Sequence, residues 1–220
     1  RLADGSKSKA VAKEKWVLRI PVVFVNSFYE NLTIPHVSLD DEKAGYLATK
    51  HLLECGHTRI AGIFKADDIQ GQNRHRGYVQ ALQEAGMLYD PDKVIWFHTE
   101  DRKVHPREGI LRLLAKGISL DAVVCYNDQI AMQIIPALAS REIRVPEDIS
   151  VTGYDNSCMA MGDGFHLTTI GHPQEKLGEM AAQLLLSLLQ GEILQPEERR
   201  ILIQPELVVG NSCCNRLRVS

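Results

Sequence analysis

The chain has 220 residues, 45% hydrophobic and 24% charged, a balance that suits an ordinary soluble globular protein with room for one large domain or two small lobes. No apolar run reaches the roughly 20 residues needed to span a bilayer, and the N-terminal stretch RLADGSKSKAVAKEKW has neither an apolar core nor a cleavage site, so no membrane partner is expected and a cytoplasmic protein is. A formal charge of −3 lacks the basic footprint of a domain that grips phosphates by itself. In chain order, short Val- and Ile-rich runs predict strands at IPVVFVN (20–26), RIAGIFKA (59–66), KVIWFH (93–98), DAVVCYN (121–127) and ISVTGYD (149–155). Between them, apolar residues recur at three-four spacing. They are Ala44, Leu47, Ala48, His51, Leu52 and Cys55; then Tyr78, Ala81, Leu82 and Ala85; then Ala131, Ile134, Ile135 and Leu138; and last Leu177, Met180, Ala181, Leu184, Leu185 and Leu188. Glycines in ECGH and EAGM read as helix stops. Alternating strand and helix predict an α/β fold, parallel sheet flanked by helices on both faces.

Sheets of that kind bind ligands beyond the carboxyl ends of their strands. Here each predicted strand ends in polar groups: Asn26 and Ser27; Lys65, Asp67 and Asp68; His98; Asn127 and Asp128; Asp155, Asn156 and Ser157. Any one of them could simply cap the following helix, but five in a row along one edge also suit a crevice wall. The stretch GIFKADDIQGQNRHRGY (62–78) then reads as one wall, in a loop. Acids and amides predominate, with Phe97 and Tyr154 or Tyr29 as nearby aromatics, and no glycine-rich cradle follows a strand. Several acids would repel a phosphate. Neutral polyols fit better, because hydroxyls both donate and accept.

The five cysteines, Cys55, Cys125, Cys158, Cys213 and Cys214, show no repeated CxxC and predict reduced thiols. His51, Cys55 and His57 tempt a metal reading, yet His51 lies on an apolar stripe and no fourth ligand is near, so no metal and no cofactor are expected. There is no GxSxG, HExxH or P-loop, and the neighbouring Asp67 and Asp68 need not face one point, so catalysis is not expected either.

The segments HLLECGHTRIAGI, RHRGYVQALQEAG, DAVVCYNDQIAM, VPEDISVTGYDNS and LTTIGHP follow one another as they do in the effector-binding domain of the lactose and galactose repressor family, which the chain resembles from Ile20 onward. GIFKADDIQG and CYNDQIA further resemble the branch of that family in which a GntR-type winged helix-turn-helix precedes a sensor of L-arabinose. The resemblance implies a two-lobed fold like that of periplasmic binding proteins, with three connections between the lobes. Residues 1–38 and 171–191 would form a partial first lobe and residues 39–170 and 192–220 the second. About two further strand-helix units and the DNA-binding domain would lie outside the chain. It also implies a sugar-responsive, dimeric repressor that leaves operator DNA when its effector binds. Carried over by motif position, Arg74 grips sugar hydroxyls with Asn127 and Asp155 opposite, and Asp68 and Gln70 set specificity. Lys65, Asp67, Phe97 and His172 join the site more weakly, as does Asn26, which stands where the family often has an aspartate. The 43–54 helix is a candidate for self-association. A solute-binding protein of a sugar transporter shares the fold and is the alternative.

Overall fold

The computed structural model describes residues 20–29, 32–157, 161–162 and 164–218. The N-terminal stretch read above, up to residue 19, and Cys158 lie outside the described residues. In chain order the elements begin with β1 (Phe24–Val25), β2 (His36–Leu39), α1 (Asp41–Glu54), β3 (Ile60–Lys65), α2 (Ile69–Glu84), β4 (Val94–Phe97), α3 (His105–Ala115), β5 (Ala122–Cys125) and α4 (Asp128–Ala139). They continue with β6 (Ser150–Thr152), β7 (Met161–Gly162), β8 (Phe165–His166), β9 (Thr169–Gly171), α5 (Gln174–Leu189), β10 (Arg200–Ile203) and β11 (Glu206–Val208).

Among the described residues two compact units result, those from 20 to 38 with 173–203 and those from 39 to 172 with 204–218, so the chain passes from one to the other three times. In the first unit, β1 and β2 pair in parallel with Phe24 opposite His36, and β10 adds on the other side of β2. That pairing, with the His36 amide donating to the Arg199 carbonyl at 2.8 Å, is why residues 192–203 cluster with this unit rather than with the second lobe expected for them. The helix α5 turns Leu177, Ala181 and Leu184 inward and leaves Leu186 and Leu189 exposed.

The second unit holds a four-stranded parallel sheet in the order β4-β3-β5-β6. One face carries Ile63, Ile95, Phe97, Val123, Cys125 and Val151, packed with Ile110 and Leu113 of α3 and Ile130, Ile134 and Leu138 of α4 into a buried core. The opposite face presents Phe64, which tilts against Tyr78 of α2, whose hydroxyl donates to the Ile60 carbonyl at 2.9 Å. Alternation along each strand thus sends apolar groups to both faces, as a doubly covered sheet requires. Isolated parallel bridges at Thr152–Thr168 and Asp155–Gly171 connect the β6 edge to the segment containing β9, and β9 pairs antiparallel with β11.

Two helices depart from the sequence reading. The first two turns of α2, residues 69–77, belong to a helix and not to a loop; their polarity hid them, because the apolar period starts only at Tyr78. The helix α3 was not predicted at all: it has no side-chain N-cap bond to announce its start. The stops were legible. Gly56 and Gly86 take φ values of 88° and 71° just past α1 and α2.

The helices α1 and α2 meet backbone to backbone. A Cβ on Gly45 would strike the Arg74 carbonyl, and one on Gly77 would strike the Glu42 carbonyl. This close approach brings the first turn of α1 to the middle of α2, and the functional cluster depends on it. Gly77→Ala should therefore lower stability by about 2 kcal/mol, the scale of overpacking a filled interface, in a urea unfolding series; a change under about 0.5 kcal/mol would contradict the close packing.

Candidate functional site

The chain leaves β3 for α2 and β4 on one side of the sheet, then returns to β5, whose helix α4 lies on the opposite face. The connections therefore diverge between β3 and β5, and open α/β sheets hold ligands at such a switch point. The carboxyl end of β3 supplies Lys65, Asp67 and Asp68; that of β5 supplies Tyr126 and Asn127; and the turn after β6 supplies Tyr154 and Asp155.

Arg74 sits among them, 6% exposed. Its Nε donates to Asp41 Oδ1 at 2.8 Å, and its Nη1 donates to the Tyr126 carbonyl at 2.7 Å. The guanidinium carbon lies 3.3 Å from the centroid of the Tyr154 ring and 4.6 Å from that of Tyr126, and the Tyr154 hydroxyl donates to the same Asp41 oxygen at 3.0 Å. Burial alone would disfavour the charge on Arg74. Asp41, with the Tyr154, Tyr126 and Asp155 side chains, more than offsets that and raises its pKa above the usual arginine value.

A second set of bonds fixes the β3 side. Asp68 caps α2 through Oδ1, which accepts from the Gly71 amide at 2.7 Å, while Oδ2 accepts from the Tyr126 hydroxyl at 2.7 Å and lies 3.0 Å from Lys65 Nζ. Capping and site-building are thus both true of one carboxylate, each taking a different oxygen. Asp67 accepts from the Thr99 amide at 3.0 Å and is exposed. Asn127 divides its amide in the same way: Oδ1 caps α4 by accepting from the Ile130 amide at 3.0 Å, and the side chain hydrogen-bonds the Asp155 carboxylate.

Asp155 has φ 103° and Asn156 φ 48°. Both are left-handed values that asparagine and aspartate tolerate better than most residues. Burial raises the Asp155 carboxyl to about 6, against the opposing pull of Arg74 and the hydrogen bond from Asn127, with Asp128 and Asp41 adding to the rise. His172 follows β9 with its ring 6.2 Å from that of Tyr154, and burial, then Arg74, depresses its pKa.

Arg74, Asn127, Asp155, Asp68 and Lys65 therefore form one cluster, with Asp67 on the adjoining turn, Gln70 at the start of α2 and His172 near Tyr154. Phe97 does not join them. It is 2% exposed and packs in the core, its ring edge-on to Tyr126 at 5.6 Å, because the strand pleat turns it inward at the position where a site aromatic was expected. Asn26 belongs to the first unit, where it ends β1 with φ 66° and its amide donates to the Val37 carbonyl at 2.8 Å. Asp41 was missed by the sequence reading. Its signal was the tandem Asp40-Asp41: Asp40 already caps α1 through the Lys43 amide at 2.9 Å, so the second acid was free to do something else. Tyr126 was missed too, masked as an ordinary strand residue. Among the described residues no group of three or more His, Cys, Asp or Glu side chains is placed to hold a metal ion, and no helix is long and apolar enough to cross a membrane.

The fold is a parallel sheet flanked by helices with a polar cluster at its switch point. A family model described as the periplasmic binding protein-like domain matches residues 49–213, and the chain belongs to that family. Two curated relatives are similar over most of the chain. The arabinose metabolism transcriptional repressor of Halalkalibacterium halodurans is 38% identical over 197 residues, 88% of this chain and 52% of that protein. Its namesake from Geobacillus stearothermophilus is 36% identical over 197 residues, 89% of this chain and 54% of that protein. Among solved structures, the transcription regulator CcpA of Lactococcus lactis aligns with a TM-score of 0.80 at 27% identity, over 93% of this chain and 74% of that one. The chain spans about half the length of the curated relatives it matches. The resemblance to effector domains of the lactose and galactose repressor family is borne out, as is the parallel sheet flanked by helices.

Two outcomes test this geometry. Arg74→Ala would strand Asp41 in the interior and should cost about 3 to 5 kcal/mol in urea unfolding; a loss below about 1 kcal/mol would contradict the buried pair. In a carboxyl NMR titration one aspartate should have its midpoint near 6 and vanish in Asp155→Asn. Since the folded state holds that proton longer than the unfolded chain, this group lowers stability as pH rises from about 4, the ordinary aspartate value, towards 6. Asp155→Asn should therefore raise the melting temperature more at pH 7.5 than at pH 5.

Proposed function

We propose that this chain is the effector-binding part of a cytoplasmic, dimeric transcriptional repressor that binds L-arabinose and leaves operator DNA when it does. One observation carries the ligand class: both bases of the cluster are already paired with acids. Arg74 is matched by Asp41 and Lys65 by Asp68, with Asp67 and Asp155 as further acids beside them, so the crevice offers directed donors and acceptors without an excess of positive charge, which suits a neutral polyol better than a phosphate. Nη2 of Arg74, the Asn127 amide, the Asp155 carboxyl and Lys65 are the groups we assign to sugar hydroxyls. The rings of Tyr126 and Tyr154 supply apolar surface beside them. Gln70, Asp67 and His172 line the approach.

The particular sugar rests on the relatives, two of which are repressors of arabinose metabolism at 38% and 36% identity. The same names favour a regulator over the solute-binding protein of a transporter. A charge of −3 is consistent with DNA contact through residues beyond this chain. In a dimer, half-sites lie about 34 Å apart per helical turn, so a sugar that favours one arrangement through differential contacts can spoil the match of two DNA-binding heads.

Calorimetric titration of the intact protein with L-arabinose, D-xylose, D-ribose and D-galactose tests the reading. Saturable heat with L-arabinose, and weaker or none with the others, is expected. No heat with L-arabinose would remove it as the effector. Asn127→Ala, which keeps the Arg74 pair, should weaken binding by about 1 to 2 kcal/mol, and unaltered affinity would take Asn127 out of the site.

A further inference from the structure

Asp128 is the fully buried acid next to Asn127, with 0% exposure at the first position of α4, and no sugar-binding role was assigned to it above. Its carboxylate bonds to the turn after β6 and to β9. Oδ2 accepts from the Ser157 amide at 2.7 Å and Oδ1 from the Thr169 hydroxyl at 2.6 Å, while its own amide donates to the Tyr154 carbonyl at 2.8 Å. The turn it grips contains the two left-handed residues Asp155 and Asn156. Such backbone persists where the surroundings over-determine it. Here the other ties are the Asp155 amide on the Ile170 carbonyl at 2.9 Å and the Asn156 amide on Thr169 Oγ1 at 3.4 Å. Thr169 thus serves both as donor to Asp128 and as acceptor from the turn.

The consecutive residues Asn127 and Asp128 consequently address the same turn in two ways. Asn127 hydrogen-bonds the Asp155 side chain, and Asp128 holds the backbone on the far side of that residue, at Ser157. A Cβ on Gly153 would strike Asp128 Oδ1, so glycine at 153 leaves the space the carboxylate needs. Burying an acid this completely is costly unless its lone pairs are satisfied, and the donors that satisfy it all come from the turn or from the strand beside it.

We infer that Asp128 is a positioning residue of the sugar site: without touching ligand, it fixes the Asp155–Ser157 turn and so aims the Asp155 carboxyl at the ligand beside Arg74. This rests on the proposed sugar-binding function, but part of its test does not. The test is Asp128→Asn in the intact protein. The amide keeps the volume and one acceptor for Thr169, yet sets an NH2 group against the Ser157 amide, donor to donor. The variant should fold, with the Kd for L-arabinose raised about tenfold, and the carboxyl NMR midpoint of Asp155 should fall from about 6 towards the ordinary aspartate range.

A merely structural role for Asp128 would lower the melting temperature and leave the Kd of the folded protein unmoved, which would overturn the inference; the Asp155 midpoint discriminates only in a variant that keeps the charge of Asp128, because losing that charge lowers the midpoint by itself. If Asp128→Asn does not fold, Thr169→Val decides. It removes one donor at constant shape and should show the same two changes at smaller size, with Kd up about threefold; native values for both in that variant would overturn the inference equally. Should the native protein bind no L-arabinose, the functional reading fails by itself, and the Asp155 midpoint in Thr169→Val, which removes no charge, still decides whether the bonds of Asp128 set the turn.

Discussion

The buried pair of Asp41 and Arg74 is the constraint on which the rest of the site depends. Two opposite charges are withdrawn from water, and neither could stay there alone; the loss of solvation is offset by a 2.8 Å bond, a carbonyl acceptor and two tyrosine rings. Satisfying both partners fixes four segments at once. Asp41 opens α1, Arg74 lies in α2, Tyr126 follows β5 and Tyr154 follows β6. The glycine contact between α1 and α2 makes the pair possible, and the pair holds the carboxyl edge of the sheet in register with α1.

From that fixed point the chemistry spreads outward by shared atoms. Tyr126 gives its carbonyl to Arg74 and its hydroxyl to Asp68, which in turn caps α2 and meets Lys65. Tyr154 gives its hydroxyl to Asp41 and its carbonyl to the amide of Asp128. Asp155 is left at the edge of this lattice, its carboxyl raised to about 6 by burial. A group poised that way can act as donor or acceptor to a hydroxyl within the ordinary pH range. The rigid part and the adaptable part of the site are thus separate side chains.

Much of this was legible in the sequence. Five Val- and Ile-rich runs located the strands β1, β3, β4, β5 and β6, and the glycines at 56 and 86 marked helix ends, because period and φ preference are local properties. The grouping of Arg74, Asn127, Asp155 and Asp68 followed from strand ends and motif position. The losses have one cause: the signal was carried by tertiary contact. The start of α2 is polar because it faces the charged cluster and not the core. Asp41 looked like part of a cap until its partner 33 residues away was in place, and Phe97 was assigned to the crevice because the direction of the last residue of β4 depends on how the strand pairs. Residues 192–203 joined the first unit through the pairing of β10 with β2, a long-range bond invisible to composition.

Binding of a sugar at the switch point of this sheet is the proposed function. Hydrogen–deuterium exchange of the intact protein, followed by peptide mass spectrometry with and without saturating L-arabinose, tests it most directly. Slower exchange is predicted in peptides covering 65–74, 126–130 and 153–157, with residues 105–115 of α3 unchanged. Protection confined to other segments, with those three peptides unaffected under demonstrated saturation, would contradict the account.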